Sequence, residues 1–189
     1  VNSKFDGNIR LSYSITEDVD NVDKIKHPIV RNALKMLEIP GGIEIASMAD
    51  IPSKGSGLGS SSSYTVGLLN ALYAYKNSKI YRADLGKLAC HVEIDLCKEP
   101  IGKQDQYIAA FGGLNLIRFY SDESVSVEPV ICKPEIVSKL EESILIFYTG
   151  RTRKASTLLK EQSKSMDNSV KRALITEMVK LAFDLKYIL

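Results

Sequence analysis

The sequence predicts an α+β fold, and three observations carry that reading. Apolar residues alternate with polar ones near residues 9–15, 43–45 and 115–130, the period of half-buried strands. Stretches of helical period lie between some of these, without the strict strand–helix alternation that builds a parallel sheet. From residue 153 onward the pattern is helical throughout. Residues 1–150 therefore form one mixed unit, and residues 151–189 read as the start of a second.

Taken in order, "NIRLSYSITE" alternates Ile9, Leu11, Tyr13 and Ile15 against polar neighbours and predicts one strand. "HPIVRNALKMLEIPGG" places Ile29, Ala33, Leu34 and Leu37 on one helical face, with Gly41 and Gly42 as the stop. "GIEIASMADIP" returns to alternation through Ile43 and Ile45. A glycine-serine stretch follows, and then a helix that buries Val66, Leu69, Leu72 and Tyr73. "RADLGKLACHVEIDLC" predicts another helix, with Asp84 as an early cap and Pro100 marking its end. "GKQDQYIAAFGG" reads as a turn or short helix ending at paired glycines. "LNLIRFY" and "SVSVEPV" predict a hairpin. A short helix starts at Pro134, "ILIFYTG" reads as a buried strand, and "ASTLLKEQ" and "VKRALITEMVKLAFDLKYIL" are helical.

Bulk properties exclude more than they select. Hydrophobic content is 44% and charged content 25%, which suits a chain with a real core. Net charge is +2, so electrostatics alone select no polyanionic partner, and no basic-aromatic pattern points to nucleic acid. Cys90, Cys97 and Cys132 have no zinc-type spacing and are expected to be reduced thiols. His27 and His91 lack a partner at metal-ligand spacing. No apolar run reaches the roughly 18 residues that a span requires, and no signal segment opens the chain. The expectation is a cytoplasmic protein with no membrane partner.

The stretch "PSKGSGLGSSSSYTVGLLNALYAYKN" carries the chemistry. A helix start presents N–H groups that no carbonyl within the helix can satisfy, and the helix dipole adds roughly half a positive charge. Glycines let a preceding loop turn its own N–H groups inward. Serine hydroxyls can cap the helix, bind phosphate oxygens or ligate a metal ion. "GSGLGSSSS" thus has the parts of a polyphosphate cradle. It is not the Walker pattern, because no Gly-Lys pair follows, and it lacks the last glycine of the dinucleotide fingerprint. The alternative is a plain loop with a helix cap.

A second candidate lies in "HVEIDLCKEPIGKQDQY". Transfer of a phosphoryl group to a hydroxyl needs phosphate clamps, a metal, and a carboxylate that accepts or orients the hydroxyl proton. Asp105 sits in a polar, glycine-containing segment where a carboxylate without a role would be costly to bury. A turn aspartate bonding local backbone is the alternative. Glu93, taken alone, reads as a surface helix residue.

The segment "PSKGSGLGSSSS" resembles the P-x-x-x-G-L-G-S-S-[AS] signature of the galactokinase, homoserine kinase, mevalonate kinase and phosphomevalonate kinase (GHMP) superfamily. That resemblance implies that Lys54, Gly55, Ser56, Gly57, Leu58, Gly59, Ser60, Ser61 and Ser62 cradle ATP phosphates, and that Ser61 ligates Mg²⁺. "GKQDQ" is similar to the G-x-x-D-Q of the family's sugar kinases, which implies Asp105 as the base. A magnesium-binding glutamate on the helix about a dozen residues earlier then falls on Glu93, with Asp95 and Glu99 as competitors. "HPIVRNALKML", "EPIGKQDQYIAAFGGLN" and "FYTGRTRKAS" extend the resemblance to the heptose 7-phosphate kinase branch.

That branch implies transfer of the ATP γ-phosphate to the anomeric C1 hydroxyl of a heptose 7-phosphate, in the synthesis of nucleotide-activated heptose. A fucose- or galactose-type sugar kinase and a non-catalytic nucleotide-binding fragment are the alternatives. Lys103, Arg151 and Arg153 are candidates for the distal phosphate of a sugar phosphate substrate, because guanidinium forks match phosphate oxygens. The implied fold is a ribosomal protein S5 domain 2-like domain followed by the first helices of a ferredoxin-like domain. The family's N-terminal "P-x-R-I-x-x-x-G-G-x-T-D" and late "G-A-G-G-G-G" segments are not in the chain. It therefore resembles the middle of such a kinase, and exposed helix faces at its end lead to the expectation of a homo-oligomer.

Overall fold

A computed structural model describes residues 1–49, 58–147 and 169–189. The chain divides into two compact units, Val1–Phe111 and Gly112–Leu189.

In the first unit a four-stranded mixed sheet carries the core. Its strands are β1 (Asn2–Ser3), β2 (Ile9–Ser12), β3 (Thr16–Val19) and β4 (Ile43–Ala46), in the order β1-β4-β2-β3. The central pair β2–β4 is parallel, with Ile9 opposite Ile43 and Leu11 opposite Ile45. All four side chains are buried on the same face, as the period of two dictates. A parallel pair needs a long crossover. Here β3 and helix α1 (Pro28–Met36) supply it, and α1 seals the sheet with Val30, Ala33 and Leu34. Helix α2 (Ser60–Tyr75) adds Val66, Leu69 and Leu72 to the same core, and helix α3 (Arg82–Cys90) adds Leu85 and Ala89. Helix α4 (Gln104–Phe111) packs on α2 and α3.

Several expectations in this unit need correction. The single strand through Tyr13 and Ile15 is a hairpin of β2 and β3. The chain reverses at residues 13–15, where the Tyr13 N–H donates to the Ile15 carbonyl at 2.9 Å, so the alternation of apolar residues runs through a turn. Helix α1 also ends before its glycines. Glu38 takes the left-handed conformation (φ 55°), and the Ile39 N–H reaches back to the Leu34 carbonyl at 2.9 Å, a Schellman-type close. Gly41 serves a different purpose: it lies so close to the Gly7 carbonyl that a side chain would collide with it.

Helix α3 continues directly into a π-helical segment, His91–Leu96, in which the Cys97 N–H bonds the Val92 carbonyl five residues back, at 2.9 Å. Asp84 lies in the first turn of α3, and the cap position belongs to Tyr81, which makes no side-chain cap bond.

The second unit contains the predicted hairpin, β5 (Asn115–Phe119) and β6 (Val125–Pro129), followed by helix α5 (Pro134–Ser143). A final helix, Ser169–Ile188, contacts β5. Arg118 stacks over the Phe183 ring, 5.1 Å from its centroid, and Lys186 pairs with Glu128. The buried strand expected at "ILIFYTG" does not form over residues 144–147. They carry no regular structure, and their side chains are 56–84% exposed, because no neighbouring strand among the described residues offers them a ladder. No helix among the described residues is long and apolar enough to cross a membrane.

Candidate functional site

The site is built where α2 begins. Gly59 is the N-cap and adopts the left-handed conformation (φ 65°, ψ 21°), which a side chain would strain. Its carbonyl accepts the first helical bond, from the Ser63 N–H at 2.9 Å. The first-turn N–H groups of Ser61 and Ser62 have no carbonyl within the helix to bond, and the helix behind them adds its dipole. This is the electrostatic signature of an anion site.

Three elements meet at Glu93. It lies in the π-helical segment and is fully buried. The Ser61 hydroxyl donates to Glu93 Oε1 at 2.5 Å, the Ser62 hydroxyl to Oε2 at 2.8 Å, and the Gln106 amide to Oε2 at 2.6 Å. Glu93, which taken alone reads as a surface residue, is thus a buried one. It falls four residues after Ala89 and eight after Leu85, on the stripe that α3 turns inward, and α2 and α4 supply the donors that a buried carboxyl requires. Of the competing acids, Asp95 is exposed and pairs with His91 at 2.8 Å, and Glu99 is exposed, with its backbone N–H on the Glu93 carbonyl at 3.0 Å.

Asp105 occupies the first turn of α4 and is exposed. It packs against Gly59, where a Cβ on residue 59 would lie 3.4 Å from Asp105 Cγ and Oδ2. The start of α2 and the "GKQDQ" segment are therefore adjacent. Lys103 sits half-buried just before α4, and its carbonyl faces the Cys90 thiol at 3.9 Å. Burial pushes that thiol up to about 11, which makes it a poor nucleophile. Leu58 is exposed and Ser60 half-buried beside the cap. Lys54, Gly55, Ser56, Gly57, Arg151 and Arg153 lie outside the described residues.

Sequence reasoning did not assign Ser62 and Gln106 to Glu93. The available signal was the glutamine beside Asp105 together with the inward spacing of Glu93. A hydroxyl and a carboxyl oxygen side by side, Ser61 Oγ and Glu93 Oε1, are the hard oxygen donors that suit Mg²⁺, which commonly takes one or two protein ligands and completes its shell with phosphates and water. No group of three or more His, Cys, Asp or Glu side chains gathers around a point among the described residues.

Residues 25–113 match the model of the GHMP kinases N-terminal domain. The chain carries a GHMP kinase N-terminal domain. It is 34% identical over 140 residues to a D-glycero-alpha-D-manno-heptose 7-phosphate kinase from Campylobacter jejuni, covering 74% of the chain and 40% of that protein. It is 27% identical over 154 residues to a galactokinase from Pyrococcus furiosus, covering 81% of the chain and 41% of the relative. Among solved structures, a D-glycero-D-manno-heptose 1-phosphate kinase from Bacteroides thetaiotaomicron superposes with a TM-score of 0.68 at 27% identity, over 75% of this chain and 50% of that one. The chain thus spans about two fifths of the length of these sequence relatives and half that of the structural one.

Proposed function

We propose that this chain is the nucleotide-binding part of a sugar kinase that transfers the γ-phosphate of ATP to the anomeric C1 hydroxyl of a heptose 7-phosphate. The single observation that carries the reading is the contact between Asp105 and Gly59, which puts a carboxylate beside a helix start fitted for phosphate. The similarity to a protein named as a heptose 7-phosphate kinase supports the choice of sugar. The N–H groups at the start of α2, with the loop before it, would hold the β- and γ-phosphates. Ser61 and Glu93 would hold Mg²⁺, which when bound neutralises charge on the phosphates. Asp105 would take the proton of the C1 hydroxyl as that oxygen forms its bond to the γ-phosphorus. The bond from that phosphorus to the β-bridging oxygen breaks, and ADP leaves. Lys103, Arg151 and Arg153 would meet the distal phosphate of the sugar. The architecture that accords with this reading is an S5 domain 2-like unit followed by the opening helices of a ferredoxin-like one.

The test is incubation of the protein with Mg-ATP and D-glycero-D-manno-heptose 7-phosphate, followed by phosphorus NMR. A new anomeric phosphate resonance with stoichiometric ADP is the expected result. Phosphorylation of fucose or galactose in its place overturns the choice of sugar, and Mg-ATP binding without ADP formation overturns catalysis by this chain.

A further inference from the structure

The two oxygens of Glu93 are not equivalent. The partner of Oε1 is Ser61, an exposed residue, whereas the partners of Oε2 are Ser62, 3% exposed, and Gln106, fully buried. The carboxyl therefore has an open side and a closed side.

Gln106 makes the closed side notable. Its amide nitrogen donates to Glu93, but its carbonyl oxygen has no hydrogen-bond partner among the described residues although the side chain is fully buried. An unpaired buried carbonyl destabilises a fold, and an apolar side chain of the same size would carry no such cost. Reversing the amide offers no relief, because it would set two acceptor oxygens against each other at the 2.6 Å contact. The side chain is thus kept for its donor end, and that end has one target.

We infer that Gln106 and Ser62 are positioning residues that clamp Oε2 of Glu93, so that Oε1, beside Ser61, is the oxygen presented to a divalent cation. The inference rests on the reading of Ser61 and Glu93 as Mg²⁺ ligands. Loss of a group that orients a metal ligand typically costs about 10- to 100-fold in metal affinity or activity. Gln106 also follows Asp105 directly in the first turn of α4, so one turn of helix sets both the proposed base and the carboxyl that faces the cation.

The experiment is titration of Mn²⁺ into the protein bound to a non-hydrolysable ATP analogue, read by the electron paramagnetic resonance signal of free Mn²⁺. Melting of the metal-free protein in EDTA is followed in parallel. Gln106→Met and Ser62→Ala each remove a donor while leaving Ser61 and Glu93 in place. Either is expected to weaken Mn²⁺ binding by about 10- to 100-fold with cooperative melting retained. If Gln106→Met fails to fold, Ser62→Ala, the smaller change, carries the test alone. Mn²⁺ affinity within about twofold of wild type in the folded variants overturns the clamp. Glu93→Gln separates the two levels: if it abolishes Mn²⁺ binding while the clamp variants bind normally, only the clamp is wrong. If Glu93→Gln also binds normally, the ligand reading falls, and the clamp with it.

Discussion

The carboxyl group of Asp105 rests against the backbone of Gly59, close enough that a Cβ on residue 59 would touch its Cγ and Oδ2 at 3.4 Å. The left-handed backbone at Gly59 favours glycine, and a Cβ there would come into van der Waals contact with the carboxyl. Gly59→Ala is expected to lose about 1–2 kcal/mol from the backbone conformation alone. Thermal melting should show a drop of several degrees. Turnover should fall by more than nucleotide affinity does, since relief of the strained backbone would shift the helix start against which the carboxyl packs. Unchanged turnover would contradict the contact as a functional one.

Asp105→Asn keeps the shape and removes the charge. The residue is exposed, so stability should stay within about 0.5 kcal/mol of wild type. If the carboxylate is the general base, steady-state kinetics should show kcat reduced by about 10²- to 10⁴-fold with ATP binding retained. A loss smaller than about tenfold removes Asp105 from that role.

Gly86 sets how closely α3 and α4 approach. A Cβ there would meet Tyr107 Cδ1 at 3.1 Å, and Tyr107 in turn stacks on Phe111 with ring centroids 6.4 Å apart. Gly86→Val should force the helices apart and cost about 1–3 kcal/mol in urea unfolding. Because α4 carries Asp105 and Gln106 in its first turn, activity should fall in the folded fraction as well.

Acid should weaken the fold through His27. Its ring lies between Tyr13 and Tyr64, with centroids at 5.0 and 5.3 Å, and its Nδ1 has no partner among the described residues. Burial holds its pKa below the ordinary 6.5, against the opposing pull of Glu17. The unfolded chain therefore binds the proton more readily than the folded one. Stability is full above pH 6.5 and declines as pH falls from there toward the folded value. Glu17 adds to this lower down. Burial pushes its carboxyl up, but hydrogen bonds from the Lys26 N–H and the Tyr13 hydroxyl outweigh burial and hold it below 4.5, so its contribution is lost beneath that pH. Urea midpoints for wild type should fall between pH 7.5 and 5.5, and His27→Phe should flatten that slope. A wild-type midpoint that does not move across this range would refute the assignment.

Much of this was legible in the residue pattern. Alternation found β4 and the β5–β6 hairpin, and helical spacing found α1, α2 and α5. The signature stretch and "GKQDQ" marked two segments that the fold brings together at Gly59 and Asp105. What escaped was three-dimensional in origin. The turn at residues 13–15 contains no glycine, proline or asparagine, so nothing interrupts the apolar alternation. Glu38 closes α1 in a conformation that residue type does not advertise. Glu93 looks like a solvated charge until its spacing from Leu85 and Ala89 is set beside the donors of two other helices. Residues 144–147 are apolar, yet a strand exists only where another strand can pair with it.

The π-helical stretch from His91 to Leu96 has a consequence beyond its own geometry. Such a stretch is an ordinary helix holding one residue more than its turn accommodates. Loss of His91 or Val92 would let the coil relax and turn Glu93 by about 100° about the helix axis relative to α3. The acid that α2 and α4 now enclose would then be swung out of register with Ser61, Ser62 and Gln106.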